Sequence, residues 1–462
     1  MQSVSPELNG FADLVRRNRW FFVAGTVLAL AFRLFFLLKF RLLTDDSLIY
    51  GDIAKVWMQH GFFGQSFDRG PGPTIIRMPG YPIFLVLTWL VVGIEHYTAA
   101  LIIQVLIDVL TCFVIADLAR RISGDRAATV AFLITALCPF FANYAAVALT
   151  ETWAIFFAAL AMDAAVAAFG YPKRRSAWII CGIALACGIL LRPDGGILMA
   201  VICAYALFIA RREKASNVAL SAVLVGVISL APLVPWTIRN WRVFRVFQPL
   251  TPVNANMPWD FVPRGFQRWV RTWIADYSSV EDVWFKAGGQ EITADVLPPR
   301  AFDDASQRQQ TESLLAAYAK NGYAVSPEID AGFADLAHDR IRNKPLRYYV
   351  GLPLLRAADL WLRPRTEMLP IDPHWWTLLE DDPPQFLWSA LLFAVNSFYV
   401  IAAMVALARG KVRYASLFIA FAIVRTAFLA WMPNPEPRYV LECYPALIAI
   451  AGAAFARKRA LT

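Results

Sequence analysis

The 462-residue chain is 58% apolar and 17% charged, with a mean hydropathy of +0.49. Several apolar runs reach the roughly 20 residues that a helix needs to cross a bilayer, which excludes an ordinary soluble enzyme. The formal charge of +9 does not mark a nucleic-acid partner, because Lys and Arg gather at the ends of apolar runs, where they orient spans.

In chain order, Arg16, Arg17 and Arg19 precede a first apolar run from Trp20 to Leu38, which places the amino terminus in the cytoplasm. That run is long for a signal-peptide core and no small-residue cleavage pattern follows, so it reads as a retained anchor. Beyond it, on the outer side, Thr44-Asp45-Asp46-Ser47-Leu48-Ile49-Tyr50-Gly51-Asp52 brings carboxylates at 45, 46 and 52 close together. The basic, proline-rich run Ile76-Arg77-Met78-Pro79-Gly80-Tyr81-Pro82 comes next. Tyr81 to Glu95 is too short for a full span and is expected to lie in the outer leaflet.

Apolar runs at 99–119, 127–147, 152–170, 176–191, 195–210 and 216–235 follow. Their basic connections, Arg120-Arg121 with Arg126, Lys173-Arg174-Arg175, and Arg211-Arg212 with Lys214, all fall on the cytoplasmic side. A long outer segment from Trp236 to Gln385 leads to runs at 386–408, 412–431 and 438–456, with Arg409, Lys411, Arg413 and the terminal Arg457-Lys458-Arg459 inside. The expected fold is an all-α polytopic membrane protein of about ten transmembrane helices, an outer-leaflet interfacial helix and a mixed periplasmic segment. Its expected divisions are a membrane module, 1–235, with a catalytic first outer loop at 39–98, a periplasmic segment, 236–385, and C-terminal membrane helices, 386–462.

The outer segment is rich in tryptophan (Trp236, Trp241, Trp259, Trp269, Trp273, Trp284), which suits a surface resting on headgroups or a sugar-stacking face. Leu354, Leu355, Ala358, Trp361 and Leu362 form a helical stripe with Arg356, Asp359 and Arg363 away from it, the pattern of an interfacial helix. Asp303 to Asn343 is polar and reads as helical. The six cysteines lie in apolar runs with no CxxC pair, and the four histidines are scattered, so neither a disulfide framework nor a metal cluster is indicated. Within the spans, Arg33, Asp108 and Arg425 are costly unless paired. Asp108 with Arg425 is the expected pair, and Arg33 lies near enough the outer end to snorkel.

The outer ends of the spans collect Asp45, Asp46, Tyr50, Asp52, Arg77, Glu151, Arg192-Pro193-Asp194, Arg239 and Arg438. Each has a plainer reading. Asp45 and Asp46 could cap a helix beginning near Ser47, Asp52 could be a solvated face, Arg77 could anchor at headgroups, and Glu151, Arg192, Arg239 and Arg438 could be ordinary span-end charges.

The order Asp46-x-x-x-Tyr50, Arg77-Met78-Pro79-Gly80-Tyr81-Pro82, Thr150-Glu151-Thr152, Leu191-Arg192-Pro193, Pro235-Trp236-x-x-Arg239-Asn240 and Arg438-Tyr439 resembles the C-type glycosyltransferases that use polyprenyl-phosphate sugars, such as protein O-mannosyltransferases and lipid A aminoarabinose transferases. The resemblance spans nearly the whole chain. It implies that Asp46 is the catalytic base, with Arg77, and with it Arg192 and Arg438, on the donor phosphate. Asp45, Tyr50, Asp52, Glu151 and Arg239 fall on the cavity or acceptor side. Ile49 stands where some relatives place an arginine, and fewer crossings follow the outer segment.

The chemistry agrees. A sugar on a lipid phosphate already has a good leaving group, so what the protein adds is a base for the acceptor hydroxyl and cations for the departing phosphate. One displacement inverts the anomeric centre. The expected partners are a polyprenyl-phosphate-linked sugar donor, an acceptor glycan, lipid or protein, and membrane lipids, at the inner membrane of a bacterium with the site facing the periplasm and both termini in the cytoplasm. No cofactor is indicated, and a divalent metal is left open. The competing class is a transporter or flippase of a lipid-linked or amphiphilic solute. Such a protein favours paired repeats and polar groups near the midplane, whereas here polar residues gather at outer span ends.

Overall fold

The computed structural model describes residues 10–410 and 412–456. Lys411 and the cluster Arg457-Lys458-Arg459, assigned above to the cytoplasmic side, lie outside the described residues, as do the two chain ends. Among the described residues the elements are helical apart from one antiparallel ribbon, Gly64–Phe67 with Gly70–Pro73, and a single bridge between Leu42 and Val147.

Among the described residues six helices are long and apolar enough to cross a membrane: Arg19–Lys39, Tyr97–Ser123, Glu151–Gly170, Pro193–Glu213, Ser216–Phe244 and Pro383–Ala408. A seventh span results if the bent pair Asp125–Ala136 and Pro139–Ala145 is one crossing, and Gly80–Val92, Arg175–Leu191 and Ala415–Trp431 are shorter apolar helices. The chain is therefore an all-α polytopic membrane protein. Gly80–Val92 has 13 residues, which at 1.5 Å per residue reaches about 20 Å, short of a hydrocarbon core of about 30 Å. The run expected at 438–456 is instead a 3-10 turn, Pro437–Cys443, and a ten-residue helix, Tyr444–Ala453, buried at every position but Leu447.

The chain divides into two compact units, Met1–Pro258 with Phe398–Ala422 and Leu441–Thr462, and Trp259–Ser397 with Ile423–Val440. In the first, Phe22 and Ala29 of the leading span pack with Cys112 and Ala116 of Tyr97–Ser123 and with Ala128, Phe132 and Ala136. The bent span turns by 51° where Pro139 interrupts it. The carbonyl of Thr135 would bond to the N–H of residue 139 in a continuous helix, and proline has none. Thr135 O accepts instead from Cys138 N at 3.1 Å, and Arg33 adds further donors at the broken end. Its Nη2 donates to Thr135 O at 3.0 Å and its Nη1 to Ala136 O, while its Nε pairs with Asp108 Oδ2 at 2.8 Å. The expected Asp108–Arg425 pair is thus replaced by Asp108–Arg33. Arg33 does not snorkel, because the broken helix end supplies acceptors inside the bundle, and Arg425 Nε donates to Tyr439 O at 2.8 Å.

The second unit has its own core of Phe266, Trp269, Trp273, Leu315, Phe333 and Leu336. Trp269 and Trp273 are buried here, which corrects their expected place on a headgroup or sugar-stacking face; Trp259 is exposed. Their indoles close the core that the helices Ala305–Lys320 and Pro327–Asn343 form within the polar stretch expected to be helical. In the helix Leu352–Leu362 the stripe residues Leu354, Leu355 and Leu362 face outward while Arg356 is buried, an inverted polarity that suits a helix lying at an apolar phase.

Candidate active site

The loop that follows the leading span is pinned by Leu42, whose N–H donates to Ala146 O at 3.3 Å. Thr44 then caps the helix Asp45–His60: its Oγ1 accepts from Ser47 N and its own N–H donates to Ser47 Oγ, a reciprocal capping box. Asp45 and Asp46 are therefore first-turn residues rather than caps, and the helix dipole favours carboxylates there. Asp45 is exposed. Asp46 is held by Arg77, whose Nη2 lies 2.6 Å from Asp46 Oδ1, with the two side chains 16% and 29% exposed for Arg77 and Asp46.

Tyr50 sits one turn beyond Asp46 on the same helical face. The Arg77 guanidinium lies 5.8 Å from the centroid of its ring, and the Tyr81 ring meets it edge-on at 5.0 Å. Burial, helped by the Asp46 charge, pushes the Tyr50 hydroxyl up to about 12. The contacts continue inward: Tyr81 OH donates to Gln104 Oε1 at 2.6 Å, and Gln104 Nε2 donates to Val147 O at 2.8 Å. Two glycines make this packing possible. A Cβ on Gly51 would lie 1.7 Å from the Tyr97 hydroxyl, and one on Gly80 would lie 2.6 Å from Leu190 O. The second contact sets the Arg77 loop against the end of Arg175–Leu191, from which Arg192 follows.

Arg192 is the hub of a second cluster. Its guanidinium lies 3.1 Å from Glu151 Oε1, 3.2 Å from Asp194 Oδ1 and 3.4 Å from Glu442 Oε1. Charges from this cluster reach Tyr50, since Glu151 favours the protonated hydroxyl and Arg192 opposes it. Glu442 escaped the sequence reading, although a carboxylate inside the apolar run 438–456 carries the same signal that singled out Asp108.

The remaining predicted residues have specific partners. Asp52 accepts from both Ser66 N and Ser66 Oγ at 2.7 Å and so anchors the ribbon. Arg239 donates to Thr74 O at 2.7 Å and to Phe63 O, with the rings of Phe63, Trp236 and Phe244 each within 5.4 Å of its guanidinium carbon. It therefore clasps the two chain ends of the same ribbon. Arg438 belongs to the second unit, where its Nε lies 2.6 Å from Glu436 Oε2 and its Nη2 3.3 Å from the Tyr439 hydroxyl. Among the described residues no group of three or more His, Cys, Asp or Glu side chains is arranged to hold a metal ion.

Residues 77–236 match the family described as dolichyl-phosphate-mannose-protein mannosyltransferase. The match begins at Arg77 and so leaves out the loop that carries Asp46. Among solved structures, the archaeal oligosaccharyltransferase AglB from Archaeoglobus fulgidus, in complex with an inhibitory peptide and a dolichol-phosphate, is similar with a TM-score of 0.51 and 13% identity, over 95% of this chain and 50% of that one. The Archaeoglobus fulgidus enzyme tethered to an acceptor peptide gives a TM-score of 0.51 and 14% identity, over 94% and 48%. ArnT from Cupriavidus metallidurans bound to undecaprenyl phosphate gives 0.42 and 15%, over 96% and 78%. The chain spans about half the length of the archaeal enzyme. No curated protein matches it in sequence. Residues 77–236 thus carry the sequence pattern of a mannosyltransferase family, within a chain that has the polytopic helical fold seen in an archaeal oligosaccharyltransferase.

Proposed function

We propose that this protein is an inverting glycosyltransferase that moves a sugar from a polyprenyl-phosphate donor to an acceptor hydroxyl at the periplasmic face of a bacterial inner membrane. The observation that carries the reading is the Asp46–Arg77 pair, a part-exposed carboxylate held 2.6 Å from the one guanidinium of a proline-bounded loop. The family match over 77–236 supports it from an independent direction.

In the unliganded protein Arg77 neutralises Asp46. An arriving phosphate competes for the guanidinium, because its oxygens suit the planar fork as well as a carboxylate does. As Arg77 turns to the phosphate, Asp46 loses its counter-charge and becomes a stronger base. The acceptor oxygen then attacks the anomeric carbon while Asp46 takes its proton, and the bond from that carbon to the phosphate oxygen breaks with the electron pair leaving on polyprenyl phosphate. Attack opposite the departing oxygen inverts the anomeric centre. Tyr50, held protonated by burial, keeps a hydroxyl beside both groups. Arg192 joins the phosphate side only by loosening the carboxylates that it holds here, so Arg77 is the first contact, and Arg438 is assigned to the phosphate on the resemblance alone. Asp45, Asp52, Glu151 and Arg239 shape the acceptor side around it, the last two through the Arg192 cluster and the ribbon.

In this reading residues 39–98 and 236–385 face the periplasm and the basic connections face the cytoplasm. Incubating purified protein with a series of polyprenyl-phosphate sugars and following release of polyprenyl phosphate tests the activity, and the anomeric configuration of the product tests the stereochemistry. Retention in the product would remove the single-displacement mechanism. For the topology, cysteines introduced at the exposed positions Arg126 and Gln290 are treated with a membrane-impermeant thiol reagent in intact cells. Labelling at 290 alone is expected, and labelling at 126 alone reverses the orientation.

A further inference from the structure

In the second unit, Arg271 follows the helix Arg264–Val270 and places its guanidinium against two aromatic rings, 4.3 Å from the centroid of Trp431 and 5.5 Å from that of Tyr348. Tyr349 stacks on the same indole, with ring centroids 6.1 Å apart and planes 18° from parallel. The arrangement is fixed from behind by Arg356, which is buried and gives its donors to three backbone carbonyls, Ile274 O at 2.7 Å, Ala430 O at 3.1 Å and Arg271 O. Arg356 thereby ties the turn that carries Arg271 to the helix end that carries Trp431.

The two arginines differ in one respect. Every bond that Arg356 makes ends on a protein acceptor, whereas Nε and Nη2 of Arg271 are both buried with no hydrogen-bond partner. These two nitrogens form one edge of the guanidinium, the edge that offers parallel N–H bonds to a pair of oxygens. Among the described residues no carboxylate pairs with Arg271, and the charged groups that act on it, Arg268 and Arg356, have the same sign. Burial without a counter-charge holds its pKa below the ordinary arginine value. A buried guanidinium edge without an acceptor is unfavourable unless an anion meets it.

We propose that the Arg271 edge is a phosphate-ester site, held open by Trp431, Tyr348 and the Arg356 buttress. A tetrahedral or planar oxyanion fills both donors with two parallel bonds, which a single water or carbonyl oxygen does not. The source that the surroundings favour is a lipid headgroup, because the segment that supplies Tyr348 also exposes Leu346, Val350 and Leu354 at four-residue spacing, a surface suited to acyl or prenyl chains. The site lies wholly in the second unit and does not rest on the role proposed for Asp46 and Arg77.

The test uses the full chain in a neutral detergent free of phosphate. Dihexanoyl phosphatidic acid, dihexanoylglycerol and inorganic phosphate are titrated separately, with thermal unfolding and isothermal titration as readouts. Phosphatidic acid is expected to bind and to raise the unfolding midpoint, and dihexanoylglycerol, which lacks the phosphate, to do neither. Arg271→Lys keeps the charge but loses the fork, so binding should weaken by about tenfold, and Arg271→Met should abolish it. Inorganic phosphate binding as tightly as phosphatidic acid, with the same dependence on Arg271, supports the fork and assigns it a soluble phosphate instead of a lipid. Phosphatidic acid that fails to bind the wild type, or that binds a folded Arg271→Lys protein with unchanged affinity, overturns the proposal. The unliganded unfolding midpoint of each variant separates loss of the site from loss of the fold.

Discussion

Replacing Asp46 by asparagine keeps the size and hydrogen-bonding shape of the side chain but removes its ability to accept a proton. If Asp46 is the base, turnover at saturating donor falls by about two to four orders of magnitude, roughly 3 to 5 kcal/mol of barrier. If it serves only to hold Arg77, the loss is that of one ion pair. The pair is short, 2.6 Å, but its carboxylate is 29% exposed. A pair screened by water to that degree is worth about 1 kcal/mol or less, about fivefold in rate. The two roles therefore predict rates that differ by more than tenfold. The assay is transfer from a polyprenyl-phosphate sugar in membranes with matched protein levels, comparing wild type, Asp46→Asn and Asp45→Asn. An Asp46→Asn enzyme within about fivefold of wild type would refute the base assignment, and a larger loss at the exposed Asp45 would move the base back one residue.

Arg77→Ala should weaken donor binding, with partial recovery in Arg77→Lys, and unchanged donor affinity in the alanine variant would take Arg77 out of the site. Arg33→Met leaves Asp108 buried without its partner and should destabilise the protein by about 3 kcal/mol or more in thermal unfolding. The double variant Arg33→Met with Asp108→Leu should recover part of that loss but not all, since the Thr135 and Ala136 carbonyls still lack the Arg33 donors; full recovery would show that those two bonds contribute nothing. Burial raises Asp359 to about 6 despite the nearby Arg363. A raised folded-state value means that its contribution to stability is fully present below about pH 4 and is lost as pH rises through about 6, a change of roughly 3 kcal/mol before solvent screening is discounted. The difference in unfolding midpoint between wild type and Asp359→Asn should follow that window, and a difference flat from pH 4 to 7 would contradict it.

Hydropathy and charge clusters located most of the helices because both properties are local: a lipid-facing helix is apolar along its length, and its flanking arginines mark its ends. The grouping of Asp46, Arg77 and Tyr50 was legible for a similar reason, since a four-residue spacing sets Asp46 and Tyr50 on one face. What was not legible depends on tertiary placement. Nothing local distinguishes the buried Trp269 and Trp273 from the exposed Trp259. The partner of Asp108 turned on a broken helix end, and Pro139 was the one visible sign of it. Asp52 and Arg239 read as site residues because they are charged and outward, yet each holds the ribbon 64–73, a structure whose Gly- and Pro-rich strands have almost no sequence pattern of their own.

The Arg33–Asp108 pair also bears on how the chain is made. The two residues are 75 positions apart, so the leading helix reaches the membrane well before its partner exists. Until then a lone guanidinium near the bilayer interior penalises insertion by about 2.5 to 3.5 kcal/mol on translocon scales. At about 5 to 20 residues per second the wait is roughly 4 to 15 s. During that interval the leading helix would have to linger beside the insertion machinery or tilt its arginine toward the headgroups. Release into lipid would then become favourable only when the helix Tyr97–Ser123 arrives with Asp108, which makes that helix the checkpoint for the leading one.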